Sequence, residues 1–291
     1  MFAILFWSTN IAFSRTIMEN LGTLTSSAFI YLISGAIGMI YLFGTGRIGS
    51  LWAMGPFYLG LCGTFFVVNM VSFYLAIGMA CGRQQVLEVG LINYLWPSFT
   101  LLFSVPILHK KARVTLFPAM LLGFSGIALA TLQEGFSWAQ LKETVGSNSF
   151  PYLMAFTAAV SWGLYSCFSR SLSEKIKDEA GAVPLFLLVA GLVLLFAKFF
   201  FEEKIVWTTR TLVELAYISI FPTFFAYMFW DIAMRKGNVV LLASISYFIP
   251  MISTLISSLH LSVPIGWKLS LGCFLVIAGA VLCKWSLREP E

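Results

Sequence analysis

The chain has 291 residues, of which 59% are hydrophobic and only 11% are charged, and its formal net charge is +5. Soluble proteins carry about 25% charged residues, and the mean hydropathy here is +0.89. This composition excludes an ordinary soluble globular protein and indicates an integral membrane protein.

Ten long apolar segments follow one another along the chain. A helix that crosses the hydrocarbon core needs about 20 mostly apolar residues, whereas a transmembrane β-barrel shows short alternating segments. The sequence therefore predicts an all-α membrane protein with ten transmembrane spans, numbered in chain order. The predicted spans are 2–17, 26–43, 55–79, 84–108, 114–132, 150–171, 181–201, 212–234, 239–260 and 266–285.

The last five spans repeat the first five. Residues 7–15 and 162–170 both begin with Trp and end with Phe-Ser-Arg, and residues 94–97 and 247–250 both read Tyr-x-x-Pro. Because five is an odd number of crossings, the second copy enters the membrane from the opposite side. Inverted repeats are typical of transporters that alternate access around a site between the repeats.

The repeat divides the chain into three parts. We predict a first five-helix repeat at 1–135, a periplasmic linker at 136–149 and a second, inverted repeat at 150–291. Within the linker, Phe136, Leu141 and Val145 are compatible both with a short amphipathic surface helix and with a plain connection.

The basic residues predict the orientation of the chain. If the N-terminus is inside, most of the 18 Lys and Arg residues fall on the inner side, with Lys110, Lys111 and Arg113 as one cluster. This bias places both termini in the cytoplasm. Because these residues lie in short loops between spans, no nucleic-acid partner is expected.

Two matched helix faces are the predicted substrate site. Trp7 and Asn10 on span 1 are three residues apart and share a face, as do Trp162 and Tyr165 on span 6. An indole ring beside polar groups near mid-membrane suits a cavity better than lipid. Such rings can stack on an aromatic substrate while the polar groups hydrogen-bond it. The alternative is that each Trp is an interfacial anchor.

Further polar and aromatic residues extend this prediction. Asn69 lies inside span 3, and Tyr94 and Tyr247 belong to the repeated Tyr-x-x-Pro sequence, so all three join the predicted substrate-binding set. Pro97 and Pro250 fall in the middle of spans 4 and 9, where each removes a backbone hydrogen bond. This partly frees the carbonyls of Asn93 and Ser246 for a ligand in the cavity. We predict a gating role for both prolines, as hinges, with a static kink that serves packing as the alternative.

Two acidic residues are predicted to act in gating or ion coupling. Glu88 lies in span 4 and Asp231 in span 8, and acids within membrane spans often mark ion or proton pathways. The alternative is structural pairing, of Glu88 with Arg83 and of Asp231 with Arg235.

One short sequence raises the alternative of a membrane enzyme. Residues 123–126 read Gly-Phe-Ser-Gly, which fits an intramembrane serine protease, but a serine nucleophile needs a base. The two histidines, His109 and His260, lie near the ends of spans. We therefore predict no catalytic site, and no metal or cofactor motif is present.

The whole chain resembles the EamA branch of the drug/metabolite transporter superfamily. The resemblance rests on ten spans in two repeats, each opening with a Trp-led helix that ends in Arg. It implies a multi-pass protein of the bacterial inner membrane, with a cavity lined by spans 1, 3, 4, 6, 8 and 9.

The same resemblance implies the function. The aromatic-rich spans 1, 4 and 6 are similar to those of family members that export aromatic amino acids by alternating access. Export of drugs or other small metabolites is the alternative. The expected partners are an amino acid substrate and membrane lipid, with no cofactor and a monomer as the working assumption.

Overall fold

The fold is described from a computed structural model, for residues 2–131, 148–173, 181–237, 242, 246, 248–262 and 265–288. The predicted surface positions Phe136, Leu141 and Val145 and the predicted site residue Tyr247 lie outside these residues. The helices are α1 Phe2–Leu21, α2 Thr23–Gly44, α3 Gly49–Ala53, α4 Gly55–Gly78, α5 Arg83–Asn93, α6 Trp96–Ile107, α7 Leu116–Thr131, α8 Phe150–Ser173, α9 Val183–Lys198, α10 Thr209–Ile218, a π-helical segment Ser219–Phe225, α11 Ala226–Lys236, α12 Ile249–Leu261 and α13 Trp267–Trp285.

Five segments are long and apolar enough to cross a membrane. They are Thr23–Gly44, Gly55–Gly78, Gln85–Ile107, Thr209–Lys236 and Trp267–Trp285, and shorter apolar helices accompany them. The predicted all-helical membrane class is thereby confirmed. α1 and α8 contain 20 and 24 residues, a sufficient length for a crossing, but they carry more polar side chains. These two polar helices are the ones that the sequence placed at the substrate site.

Span 4 consists of two helices, which corrects the prediction of one helix with Pro97 in its middle. α5 ends at Asn93, a turn covers Tyr94 and Leu95, and α6 begins at Trp96. Pro97 is thus in the first turn of α6, where its missing N–H and fixed φ are tolerated. Pro250 has the same position in α12, which begins at Ile249. Both prolines therefore start helices.

Span 8 contains a π-helical segment that the sequence analysis did not predict. The segment Ser219–Phe225 surrounds Pro222 and joins α10 to α11 without a break. Proline cannot donate to the carbonyl four residues earlier and its ring crowds that carbonyl. Widening of the helix relieves this conflict, and such bulges are frequent at functional sites.

Glycines bring α2 and α9 into backbone contact. A Cβ atom at Gly35 would lie 2.7 Å from the backbone nitrogen of Leu188, and one at Gly191 would lie 2.9 Å from that of Leu32. Gly35 and Leu32 are separated by three residues, as are Gly191 and Leu188. The contact is therefore reciprocal between the two halves of the chain.

α7 and α13 pack in the same reciprocal way. A Cβ atom at Gly126 would lie 2.6 Å from the carbonyl oxygen of Gly272, and one at Gly279 would lie 2.6 Å from the backbone nitrogen of Gly123. Small residues permit this close approach, which is the main source of helix association in lipid.

A short β-ribbon accompanies the helices. Residues 111–112 (β1) pair antiparallel with residues 287–288 (β2), and the Arg113 backbone N–H donates to the Ser286 carbonyl at 2.7 Å. The ribbon ties the loop after α6 to the end of α13.

Candidate functional site

A small cavity lies where α1, α4, α5, α6, α8, α11 and α12 meet. Its volume is about 50 Å³, enough for only a few water molecules. The lining combines large aromatic rings with three asparagines. The lining residues are Trp7, Asn10, Ile11, Asn69, Phe73, Asn93, Tyr94, Trp96, Trp162, Tyr227 and Ile249.

The structure brings most of the predicted substrate-binding residues to this cavity. Trp7, Asn10, Asn69, Tyr94 and Trp162 all line it. They come from α1, α4, the turn after α5, and α8. Both halves of the chain therefore contribute, and the cavity lies between the halves.

Tyr165 lies behind the cavity wall. Its ring centroid is 5.1 Å from that of Trp162, but its hydroxyl points to Asp231, to which it donates at 3.0 Å. The structure therefore places Tyr165 in a polar network and not on the cavity surface.

Five aromatic side chains pack together in the centre of the molecule and are called the aromatic cluster: Trp7, Trp96, Trp162, Tyr227 and Trp230. Trp7 is the hub, and its centroid lies 6.3 Å from Trp96, 5.6 Å from Trp162, 5.2 Å from Tyr227 and 5.2 Å from Trp230. Most of these pairs are tilted or edge-to-face, the geometries that aromatic quadrupoles favour. Trp96 and Trp230 also meet at 5.1 Å.

The sequence analysis did not predict three members of the aromatic cluster, Trp96, Tyr227 and Trp230, because it relied on positions that match between the repeats. Tyr227 and Trp230 are three residues apart on α11 and therefore share a face. Trp96 is the first residue of α6. Two of them could have been found from their neighbours in the sequence. Trp230 precedes Asp231 and Trp96 precedes Pro97, and both Asp231 and Pro97 were predicted site residues.

Two indole nitrogens of the aromatic cluster are buried. Among the described residues, neither Trp7 Nε1 nor Trp230 Nε1 has a hydrogen-bond partner. Buried Trp N–H groups usually find a partner. Trp7 lines the cavity, so a water or a ligand bound there would supply a partner for its N–H group.

Three asparagine side chains form the polar part of the lining. Asn10 Oδ1 accepts from Ser14 Oγ at 2.9 Å, and Asn69 Nδ2 donates to the Ala158 carbonyl at 2.8 Å. Both side chains are buried, with 4% and 6% exposed. Asn93 ends α5, immediately before the break that precedes Pro97.

A buried polar network lies beside the aromatic cluster. Asp231 Oδ2 accepts from Arg235 Nε at 2.9 Å, and its Oδ1 accepts from Tyr165. One turn along α8, Ser169 hydrogen-bonds the Tyr58 hydroxyl at 3.0 Å. The pairing of Asp231 with Arg235, which was the structural alternative in the sequence analysis, is thus present. The network around it joins α4, α8 and α11.

The repeat-matched arginines make matching contacts. Arg15 Nη1 donates to the carbonyls of Ile77 and Ala80, at 2.9 and 3.2 Å. Arg170 Nη1 donates to the carbonyls of residues 234–235. Each guanidinium therefore binds the C-terminal end of another helix in its own half, where the helix dipole favours a positive charge.

A second ionic cluster closes the opposite end of the bundle. Arg83 Nη2 pairs with Glu19 Oε2 at 2.6 Å and Arg83 Nη1 donates to the Leu261 carbonyl at 3.1 Å. Arg15 also pairs with Glu19, at 3.0 Å. These contacts link α1, α5 and α12.

Glu88 has a different partner from the one considered in the sequence analysis. The Tyr152 hydroxyl on α8 donates to Glu88 Oε2 at 2.5 Å, while Arg83 pairs with Glu19. Residues 83 and 88 are five apart, so they do not lie directly above one another on a helix. Glu88 consequently connects the two halves of the chain.

Ser125 has no catalytic surroundings among the described residues. Its hydroxyl is exposed and donates to the Leu122 carbonyl of its own helix at 2.8 Å. Gly126 is explained by its contact with α13. The Gly-Phe-Ser-Gly sequence is therefore a packing feature.

Known proteins resemble this chain along nearly its whole length. The model of the EamA-like transporter family matches residues 1–132 and 149–284. The aromatic amino acid exporter YddG of Salmonella typhimurium and that of Escherichia coli are each 28% identical over 99% of this chain and 96% of their own. The uncharacterized transporter YvbV of Bacillus subtilis is 24% identical over all of this chain and 92% of its own. A solved crystal structure matches with a TM-score of 0.70 at 26% identity, covering 97% of this chain and 93% of that one.

Proposed function

The chain belongs to the EamA-like transporter family, and we propose that it exports aromatic amino acids across a bacterial inner membrane. Relatives of similar length are named as aromatic amino acid exporters. These names describe transporters and not enzymes. A secondary transporter needs no cofactor, and its partners are its substrate and the surrounding lipid.

The aromatic cluster is the observation that carries this proposal. Trp7 and Trp162 contact each other across the boundary between the halves, 5.6 Å apart. A flat aromatic side chain can replace one ring contact by another at little energetic cost. An aliphatic substrate would forfeit these ring contacts. The cluster therefore favours aromatic substrates.

Transport requires the cluster to open. A volume of about 50 Å³ is too small for an aromatic amino acid, because pockets for small ligands are about 300–1,000 Å³. We propose that spans 3, 4, 8 and 9 rock around spans 1 and 6. This motion would break the Glu19–Arg83 contacts at one end and the Asp231 network at the other, in turn.

The reciprocal contacts support an arrangement of ten spans in inverted repeats. Gly35 with Gly191, Gly126 with Gly279, and Arg15 with Arg170 occupy matched positions and make matched contacts. Sites between inverted repeats, near the middle of the membrane, are typical of such transporters.

The proposed orientation has both termini in the cytoplasm. It is tested by labelling a cysteine at Lys111 in a Cys81→Ser background, because Cys81 is exposed and the other cysteines are buried. A membrane-impermeant reagent should reach position 111 only from the cytoplasmic side. Preferential labelling from outside contradicts the orientation.

The function is tested with purified protein in liposomes. We expect counterflow of labelled L-tryptophan, L-phenylalanine and L-tyrosine, and much weaker counterflow of L-leucine and L-alanine. Drug or other-metabolite export is the alternative, and it is favoured if lipophilic cations are carried and the amino acids are not. Empty liposomes provide the background.

A further inference from the structure

Three amide side chains contribute to the polar part of the cavity, beside the polar atoms of its Trp and Tyr rings. Asn10, Asn69 and Asn93 reach it from α1, α4 and α5, and none of the lining residues that the structure describes is charged. The carboxylate of Asp231 is occupied by Arg235 and Tyr165 and is absent from the lining. The cavity therefore offers dipoles and no formal charge.

The hydrogen bonds of the three amides leave donors and acceptors for a ligand. Asn10 accepts from Ser14 through Oδ1, so its N–H groups have no partner among the described residues. Asn69 donates through Nδ2 to the Ala158 carbonyl, and its Oδ1 has no partner among the residues that the structure describes. The Asn93 side chain has no hydrogen bond within the described part of the chain. The Trp7 indole N–H is a further donor without a partner among the described residues.

Such a set suits a ligand with one positive and one negative group. N–H groups of Asn10 and Trp7 can donate to a carboxylate, and the oxygens of Asn69 and Asn93 can accept from an ammonium. Burying one net charge beside neutral groups is costly, whereas a zwitterion brings its own counter-charge. An acid or an amine alone would lack this compensation.

We propose that Asn10, Asn69 and Asn93 form an uncharged subsite that binds the ammonium and carboxylate of a zwitterionic substrate. This inference rests on the proposed function and specifies how an aromatic amino acid is told apart from aromatic amines and acids. The aromatic cluster binds the ring, and the amides select the head group.

The test is equilibrium binding to the purified full chain in detergent, which avoids passive permeation of the analogues. Competitors of labelled L-tryptophan are unlabelled L-tryptophan, tryptamine, which lacks the carboxylate, and indole-3-propionate, which lacks the ammonium. We expect each analogue to bind at least about tenfold more weakly than L-tryptophan, because it leaves polar groups unpaired. Equal competition by tryptamine or indole-3-propionate overturns the subsite.

A charge substitution tests the assignment independently. In Asn93→Asp a carboxylate replaces an amide of the same shape, so tryptamine should gain about tenfold in affinity relative to L-tryptophan. Asn69→Asp should act in the same direction if Asn93→Asp fails to fold. Asn20→Asp is the matched control, because Asn20 is not among the described lining residues and donates to the Thr16 carbonyl of its own helix.

The outcomes separate the two proposals. An unchanged ratio of tryptamine to tryptophan affinity in both Asp variants overturns the subsite while leaving aromatic amino acid export intact. Absence of binding and counterflow for all three aromatic amino acids overturns both the proposed function and the subsite.

Discussion

Trp7 and Trp162 meet edge to face, with ring centroids 5.6 Å apart and ring planes at 87°. They are the first residues of the repeated sequence in the two halves, and they come from α1 and α8. An interfacial anchor would point to the headgroup region, whereas these rings pack on each other at the cavity. The contact joins the halves at the proposed substrate site.

The first prediction concerns these two rings. Trp7→Ala or Trp162→Ala should weaken binding of aromatic amino acids several-fold, because one ring contact contributes about 0.5–1.5 kcal/mol. Binding of labelled L-tryptophan to the purified variants measures the effect. Trp285→Ala is the control, since Trp285 is 64% exposed. Normal affinity in both cavity variants would show that the cluster does not bind substrate.

The second prediction concerns the buried ion pair of Asp231 and Arg235. Asp231→Asn should destabilise the protein by about 3–5 kcal/mol, because it removes one charge of a buried ion pair. Glu19→Gln, at the more exposed pair with Arg83, should cost only about 0–1 kcal/mol. Equilibrium unfolding in mixed micelles measures the free energy of unfolding of both variants. The double variant Asp231→Asn/Arg235→Gln should regain part of the stability that Asp231→Asn loses. Equal stability of the two single variants contradicts the prediction.

The third prediction concerns Glu88, proposed to couple transport to protons. Glu88→Gln should abolish accumulation driven by a pH gradient and leave counterflow intact, since glutamine cannot carry the proton. Tyr152→Phe removes the hydroxyl that donates to Glu88 but keeps the carboxylate, so it should retain the response. Transport with and without the gradient decides the matter. A wild type without any response, or an unchanged response in Glu88→Gln, removes Glu88 from coupling.

The fourth prediction concerns the break between α5 and α6. Pro97→Ala restores an amide that can donate to the Asn93 carbonyl, so the two helices should merge and the proposed hinge should stiffen. Counterflow should slow several-fold with little change in substrate affinity. Pro151→Ala is the control, because Pro151 lies in the first turn of α8 and not between two halves of one span. If Pro97→Ala shows an unchanged rate of counterflow, the break between α5 and α6 serves packing only.

The sequence predicted features that depend on spacing within a segment. Apolar length gave the membrane class, and spacings of three and four placed Trp7 with Asn10 on one face. The pairing of Asp231 with Arg235 was likewise predictable, because it joins residues i and i+4.

The sequence could not predict features that depend on contacts between distant segments. The ion pair of Glu19 with Arg83 could not be predicted, because the two residues are far apart along the chain and lie on different helices. The same holds for Tyr152 and Glu88. The π-helical segment around Pro222 was missed because a proline inside a span is equally compatible with a kink, a break or a widened turn.

The two ionic clusters differ in their access to solvent, and ionic strength should therefore distinguish the two ends of the bundle. The Glu19 and Arg83 side chains are 30% and 42% exposed, whereas those of Asp231 and Arg235 are 2% and 4% exposed. The Debye length shortens from about 10 Å at 0.1 M salt to about 3 Å at 1 M. Concentrated salt will weaken the first cluster and barely affect the second. A transporter held by these contacts would then favour, in high salt, the state that is open at the Glu19 end.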